Sequence, residues 1–200
     1  MNKQKRSQPY LPKLSRGEKS SKRSSAEGAA IISAGLLEIY GLGVLIMGDS
    51  GVGKSESALE LITRGHRFIS DDVVEIKKTA AGRLKGQSPQ LSRNFMELRG
   101  LGLINIKEIF GAKAVCASIP IDLVIHLKRW HRGDEFDRLG LEFPADYNIQ
   151  GVRVPQLIIP VAPGRNIATL IEIACKVHLL RKKGYHAPKE IVRKIERRMR

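Results

Sequence analysis

Apolar positions in this chain fall in short runs broken by glycine and charge, and only toward the C-terminus do they settle into a long helical period. Residues 31–40 read as one strand, and the Gly41-Leu42-Gly43 turn returns the chain into Gly43-Val44-Leu45-Ile46-Met47, so the two predict a hairpin. Helical spacing follows from Glu56 to Ile62 and stops at Gly65. Arg67-Phe68-Ile69-Ser70 is a short strand ending in Asp71-Asp72 and continued by Val73-Val74-Glu75-Ile76; Ala81-Gly82 then turns between two strands, and 89–94 is a loop. Phe95-Met96-Glu97-Leu98 reads as a strand. Gly100 and Gly102, set between apolar residues beside Arg99, predict a tight loop, with a short helix through Lys107-Glu108-Ile109-Phe110 that Gly111 ends.

Residues 119–127 form the most strand-like run, expected to be buried on both faces, with His126 a packed core residue rather than a ligand. Charges, Trp130, Gly133, Gly140 and Pro144 make 128–148 a long loop of the kind that covers a site. Residues 152–161 are strand-like again, with prolines that favour a sheet edge. Ala162-Pro163-Gly164-Arg165-Asn166 turns into a helix over Ile167–Lys182, and a last basic helix starts at Pro188. Many short strands and few helices predict an α/β domain with a mixed β-sheet and C-terminal helices, not a fully doubly wound sheet.

The junction between the second strand and the first helix carries the candidate chemistry. Gly48-Asp49-Ser50-Gly51-Val52-Gly53-Lys54-Ser55 is a complete G-x-x-x-x-G-K-[ST] pattern in strand–loop–helix context. The glycines let successive N–H groups turn inward around a phosphate, and the helix dipole adds positive potential. Lys54 is placed to reach β- and γ-phosphates and the Ser55 hydroxyl to ligate Mg²⁺. Asp71-Asp72, a carboxylate pair at a strand end one helix downstream, has the position needed to handle a metal or a nucleophile's proton.

Composition narrows the setting. The net charge of +15 looks like a nucleic-acid signature until it is located. Residues 1–25 carry eight Lys/Arg against one Glu, and residues 181–200 carry nine against two Glu; residues 26–180 hold 18 basic and 17 acidic groups. The ends are basic and the body is neutral, so a specific nucleic-acid face is not expected. Residues 1–28 are too polar to bury a core and are expected to be a disordered basic tail before a domain over 29–200. Cys116 and Cys175 each sit in an apolar run, as buried small hydrophobes do, and no stretch has the length to span a membrane; a cytoplasmic protein is expected.

Five blocks together resemble the catalytic domain of HPr kinase/phosphorylase, a family with a fold like that of PEP carboxykinase. They are Gly41-x-Gly43-Val44-Leu45-Ile46 running into the phosphate loop; Arg64-Gly65-His66-Arg67 with Asp71-Asp72; Glu97-Leu98-Arg99-Gly100-Leu101-Gly102-Leu103-Ile104; Phe136-Asp137-Arg138-Leu139; and Pro160-Val161-x-Pro163-Gly164-Arg165-Asn166. The glycine-rich block from Glu97 is that family's own signature. The resemblance implies a bifunctional enzyme that uses ATP and Mg²⁺ to phosphorylate a serine of the phosphocarrier HPr, and inorganic phosphate to reverse the step, in the regulation of carbohydrate metabolism. It implies Asp72 as general base with Asp71 shaping its pKa or the metal site, Lys54 and the loop amides on the phosphates, Ser55 and Glu97 on Mg²⁺, and Arg138 on the transferring phosphoryl group. It assigns phosphorolysis to the turn Pro160-Val161-Ala162-Pro163-Gly164-Arg165, where Arg165 is either a phosphate site or a surface salt bridge. It also implies a homo-hexamer whose C-terminal helices receive HPr.

The chain departs from that pattern at two places. Ser33-Ala34 stands where the family carries His-Gly, and only a basic tail precedes the match where the family usually bears an N-terminal domain. Alternatives are a kinase of the same fold with another acceptor, a catalytically impaired nucleotide-binding regulator, and, last, a nucleic-acid-stimulated ATPase.

Overall fold

The computed structural model describes residues 28–131, 140 and 144–199. The expected tail over 1–28, apart from Gly28, and the block Phe136-Asp137-Arg138-Leu139 lie outside the described residues. In chain order the elements are β1 (Ala29–Ile32), β2 (Gly35–Ile39), β3 (Leu42–Gly48), α1 (Lys54–Thr63), β4 (Arg67–Ser70), β5 (Val74–Lys78), β6 (Leu84–Gln87), β7 (Phe95–Leu98) and β8 (Gly102–Asn105). They continue as α2 (Ile106–Phe110), β9 (Ser118–Pro120), β10 (Leu123–Arg129), β11 (Tyr147–Ile149), β12 (Val152–Val154), β13 (Gln156–Val161), α3 (Ile167–Lys182) and α4 (Ala187–Arg198).

The central layer is a five-stranded sheet ordered β13-β10-β3-β2-β4. β13, β10 and β3 run parallel, whereas β2 is antiparallel to both neighbours, so the sheet is mixed. β2 and β3 form the expected hairpin. Its two-residue turn, Tyr40-Gly41, takes positive φ at both positions (52° and 79°), the twist that matches right-handed strands. β13 lies at the sheet edge, as its prolines require.

Alternation along the strands divides the core in two. Leu37, Ile39, Val44, Ile46, Phe68 and Ile125 face Ala58, Leu61 and Ile62 of α1 and Ala168, Ile171 and Cys175 of α3. Leu36, Leu45, Ile69 and Val124 face the other way, against Val74, Ile76, Leu84 and Ile119 of a four-stranded antiparallel sheet ordered β1-β5-β6-β9. The layers are therefore helices, mixed sheet and antiparallel sheet. Cys116 and Cys175 are free thiols, and burial pushes Cys175 up to about 12. No helix among the described residues is long and apolar enough to cross a membrane.

Four runs that read as single strands are each divided. The chain leaves the four-stranded sheet for the central one at Ser33-Ala34 and again at Ile121-Asp122, and makes the reverse passage at Asp71-Asp72-Val73; Pro155 separates β12 from β13. A period of two marks extended chain but carries no label for the sheet it joins. The glycine-rich loop expected after Leu98 is shorter than read: Arg99-Gly100-Leu101 turns β7 into β8, and Glu97 pairs with Leu103. His126 is half-buried, paired in register with Met47 and Ile158.

One close approach fixes the two sheets together. A Cβ on Gly43 would lie 1.9 Å from the Pro120 carbonyl oxygen, where the Asp122 carboxylate also accepts the Gly43 N–H at 3.0 Å. Gly43→Ala must push β3 away from β9 and is expected to cost about 2–3 kcal/mol or more, a fall in melting temperature of several degrees for a domain of this size. Gly35→Ala, in a strand without positive φ and with no atom nearer than 3.9 Å to the added Cβ, serves as the comparison in the same thermal scan, and equal losses would show that this contact does not decide.

Candidate active site

The phosphate loop starts at the end of β3, where Gly48 is paired with Leu127 of β10. A Cβ on Gly48 would meet the Leu127 carbonyl oxygen at 2.5 Å, so only glycine lets the chain leave the sheet there. Gly51 and Gly53 take left-handed φ of 72° and 97°, which wraps the loop back onto the first turn of α1. Gly53 caps that helix without a side chain, and Glu56 alone adds negative charge to its first turn. Val52 is buried and anchors the loop in the core, whereas Asp49 and Ser50 are exposed. The Lys54 ammonium donates to the carbonyls of Gly48 at 2.8 Å and Asp49 at 3.0 Å, which holds it across the loop mouth.

The carboxylate pair has separated roles. Asp71, 7% exposed, accepts from the Ser55 hydroxyl at 3.1 and 3.3 Å. Burial and then the neighbouring Asp72 charge push Asp71 up to about 6, against the opposing hydrogen bonds from Ser55 and from the backbone N–H groups of Glu97 and Asp72. Asp72 takes φ 62°, a left-handed conformation that Asp tolerates, and so its side chain leaves the strand direction and lines the cleft. Its carbonyl accepts the Ala34 N–H at 3.2 Å, while Val73 N–H bonds Asp71 O at 2.8 Å.

The cleft, about 370 Å³, gathers Gly48, Ser50, Gly51, Gly53, Lys54, Ser55, Asp72, Glu97 and Arg99 from the sequence-derived set. Ser33 lines it as well. Gly100 lies in the β7–β8 turn beside Arg99 and Gly102 opens β8, and both have positive φ (90° and 81°). The resemblance implies Ser55 and Glu97 on one Mg²⁺; the side chain bonded directly to the Ser55 hydroxyl is Asp71, because β4 brings it beside the first turn of α1.

Sequence reading missed Glu56 and Arg129. Glu56 follows Ser55 directly and lines the cleft; its signal was adjacency to the motif. Arg129 donates to the Gly51 carbonyl at 3.1 Å. It carries no local signal, since it comes to the loop only because β10 pairs with β3 in a register that sets Leu127 against Gly48.

The turn expected to serve phosphorolysis is near the loop but outside this cleft. Val161, Ala162 and Pro163 line an adjoining cavity of about 450 Å³ with Arg129, Trp130 and His131, and the two spaces share Gly51. Pro160 and Val161 end β13, and Gly164 turns with φ 81°. Arg165 is exposed and its guanidinium donates to the Pro160 carbonyl at 2.8 Å, so it braces the turn; no carboxylate pairs with it among the described residues.

Behind the site, Glu172 of α3 joins three elements. It accepts from the Tyr40 hydroxyl at 3.1 Å and the Arg64 guanidinium, and it meets His66 Nε2 at 2.9 Å. Burial pushes Glu172 up, but these bonds outweigh it and hold the carboxyl below its usual range. Asn166 caps α3 by accepting from Thr169 N–H at 2.7 Å and donates to Glu60 of α1 at 2.8 Å.

The donor set fits a hard cation. Ser55, Asp71, Asp72, Glu56 and Glu97 offer only oxygen, and a buried carboxylate whose pKa is raised by an acidic neighbour is a group that positive charge would relieve. Among the described residues no group of three or more His, Cys, Asp or Glu is arranged to hold a metal ion by itself.

Fold and cleft define an α/β domain with a mixed sheet, in which Asp72 faces the glycine-rich loop and Lys54 while Asp71 is buried behind Ser55. The HPr Serine kinase C-terminal domain family matches residues 26–195, and the chain belongs to that family. It is 48% identical over 165 residues to the HPr kinase/phosphorylase of Thermoanaerobacter pseudethanolicus, covering 82% of this chain and 53% of the relative. The HPr kinase/phosphorylase of Geobacter sulfurreducens is 47% identical over 164 residues, 82% of this chain and 51% of the relative. Among solved structures, the Hpr(Ser) kinase/phosphatase from Coxiella burnetii aligns with TM-score 0.73 and 32% identity over 81% of this chain and 98% of that one. The chain spans about half the length of the curated relatives it matches.

The raised Asp71 pKa sets a pH dependence. With a folded value of about 6 against an ordinary 3.8, the folded protein holds this proton more tightly, so Asp71 costs stability as pH rises from about 4 to about 6 and the full cost stands above that. In cation-free buffer at pH 7.5, Asp71→Asn is expected to unfold at a higher temperature than wild type, by at most about 3 kcal/mol in stability. The gain should vanish near pH 4; a gain that persists there would mean that Asn packs better for reasons unrelated to charge.

Proposed function

We propose that this chain is the catalytic part of an ATP- and Mg²⁺-dependent protein serine kinase acting on HPr, able also to run phosphate-dependent dephosphorylation of phosphoserine-HPr. The names carried by its relatives support the acceptor, and one observation carries the chemistry: Lys54, Ser55 bonded to Asp71, and Asp72 converge on a single cleft at the N-terminus of α1. The reading includes a homo-hexamer in the cytoplasm, with HPr as partner and no specific nucleic acid.

The residues divide the work. The backbone of residues 48–54 and the α1 dipole bind the β-phosphate side, and Lys54 exchanges its Gly48 and Asp49 carbonyls for phosphate oxygens. Ser55, aligned by Asp71, and Glu97 would hold Mg²⁺, which when bound neutralises charge on the β- and γ-phosphate oxygens. Asp72, turned into the cleft, accepts the proton of the incoming serine hydroxyl and returns it in the reverse direction. Arg99 from the β7–β8 turn meets the negative charge of the phosphoryl oxygens. Arg138 is proposed to act on the same group. The cavity beside Trp130 takes the nucleoside, and the 160–165 turn at its rim admits inorganic phosphate in the reverse reaction.

A second reading, a nucleotide-binding regulator with impaired turnover, draws on Ser33, which brings to the cleft wall a hydroxyl where an imidazole would change charge near neutral pH. Incubation with ATP, Mg²⁺ and HPr separates the two: phosphoserine is expected, with pyrophosphate released from phosphoserine-HPr on adding phosphate. Asp72→Asn should lower kcat by about 10²–10⁴-fold with ATP affinity kept. Lys54→Ala should weaken ATP binding itself. Tight ATP binding without transfer, or undiminished transfer by Asp72→Asn, would overturn the kinase reading.

A further inference from the structure

Ser33 is a hydroxyl of this chain that the fold brings to the same cleft as the proposed base. It lies at the passage from β1 to β2, outside both strand ladders and exposed. Ala34 N–H is bonded to the Asp72 carbonyl, so the passages at Ser33-Ala34 and Asp71-Asp72 lie side by side. Ser33 lines the same cleft as Lys54, Asp72, Glu97 and Arg99. The other cleft hydroxyls are placed differently. Ser55 is engaged with Asp71 in the first turn of α1, and Ser50 belongs to the loop that wraps the phosphates, with no described contact to a carboxylate.

We propose that Ser33 is a phosphoacceptor in cis: a serine of the enzyme's own cleft wall that takes the terminal phosphoryl group of a bound nucleoside triphosphate. This rests on the kinase reading above. In the step, Ser33 Oγ forms the new bond to the terminal phosphorus, its proton passes to the Asp72 carboxylate, and the bond to the bridging oxygen breaks with its electron pair leaving on the nucleoside diphosphate. A hydroxyl held within the cleft replaces a bimolecular encounter with a local one, which removes the entropic cost of bringing an acceptor to the site. The product carries a charge of about −2 and lies among Lys54 and Arg99, the cations that a triphosphate needs. Modification therefore blocks the cleft and limits itself to one phosphoryl group per chain.

The full chain, first treated with a phosphatase that is then removed, is incubated with Mg²⁺ and ATP without any protein acceptor and read by intact mass and peptide fragmentation. One added group of about 80 Da on Ser33 is expected, at a rate constant that does not change with protein concentration. Ser33→Ala and Asp72→Asn should stay unmodified, Ser33→Thr should be modified more slowly, and the modified chain should lose transfer to HPr. A phosphoryl group on another residue, a rate constant that rises with protein concentration, or an unmodified Ser33 in a preparation that phosphorylates HPr overturns the proposal and leaves the kinase reading standing. Transfer to neither Ser33 nor HPr overturns both.

Discussion

The hydrogen bond from Ala34 N–H to the Asp72 carbonyl is the constraint on which the site depends, because it ties together two of the places where the chain changes sheets. Neither sheet needs this bond for its own ladder. It fixes their junction, and with it the direction in which each carboxylate of the pair points. Asp71 continues inward from β4 to the Ser55 hydroxyl; Asp72, thrown into left-handed conformation by the change of sheet, faces the cleft. Adjacent residues thereby reach opposite environments, one dry and one wet, and their chemistry separates. Non-glycine residues with positive φ cost about 1 kcal/mol or more, and here the cost is offset by packing of β5 and β1 against the central sheet.

The helix that begins at the phosphate loop is held at both ends. Its first turn receives the loop, which Gly48 presses against β10; its last turn and the residues just beyond it, through Glu60, Arg64 and His66, are bonded to Asn166 and Glu172 of α3. The turn that precedes α3 is braced internally by Arg165. Phosphate cradle and neighbouring turn thus share one rigid support, and phosphoryl transfer, which relies on positioning and charge more than on covalent chemistry, needs such a support.

Much of this was legible in the sequence where the information is local. The phosphate loop, the β2–β3 hairpin, α3 over Ile167–Lys182 and the β13 edge position follow from spacing, glycine and proline. What stayed hidden depends on pairing. Runs such as 31–40 and 119–127 are strand-like from end to end, and nothing in that character says that Ile32 and Gly35 belong to different sheets. The same ignorance of register concealed Arg129 and the bond from the Ser55 hydroxyl to Asp71. Ser33 is the instructive case. As a sequence feature it was a missing histidine, and the fold makes it a residue at the wall of the cleft.

Glu172 carries a consequence for how such a chain can change over generations. One carboxylate receives Tyr40, Arg64 and His66, drawn from a hairpin turn and from the end of α1, and Tyr40 packs edge-on against His66 with ring centroids 4.8 Å apart. Replacing any single member strands the others: a half-buried acid without its donors, or donors without their acid. Substitutions here are therefore tolerable in concert and costly alone, so these four positions should drift through sequence space as one unit, and a helix borrowed from a relative will fit only if it arrives with the matching turn.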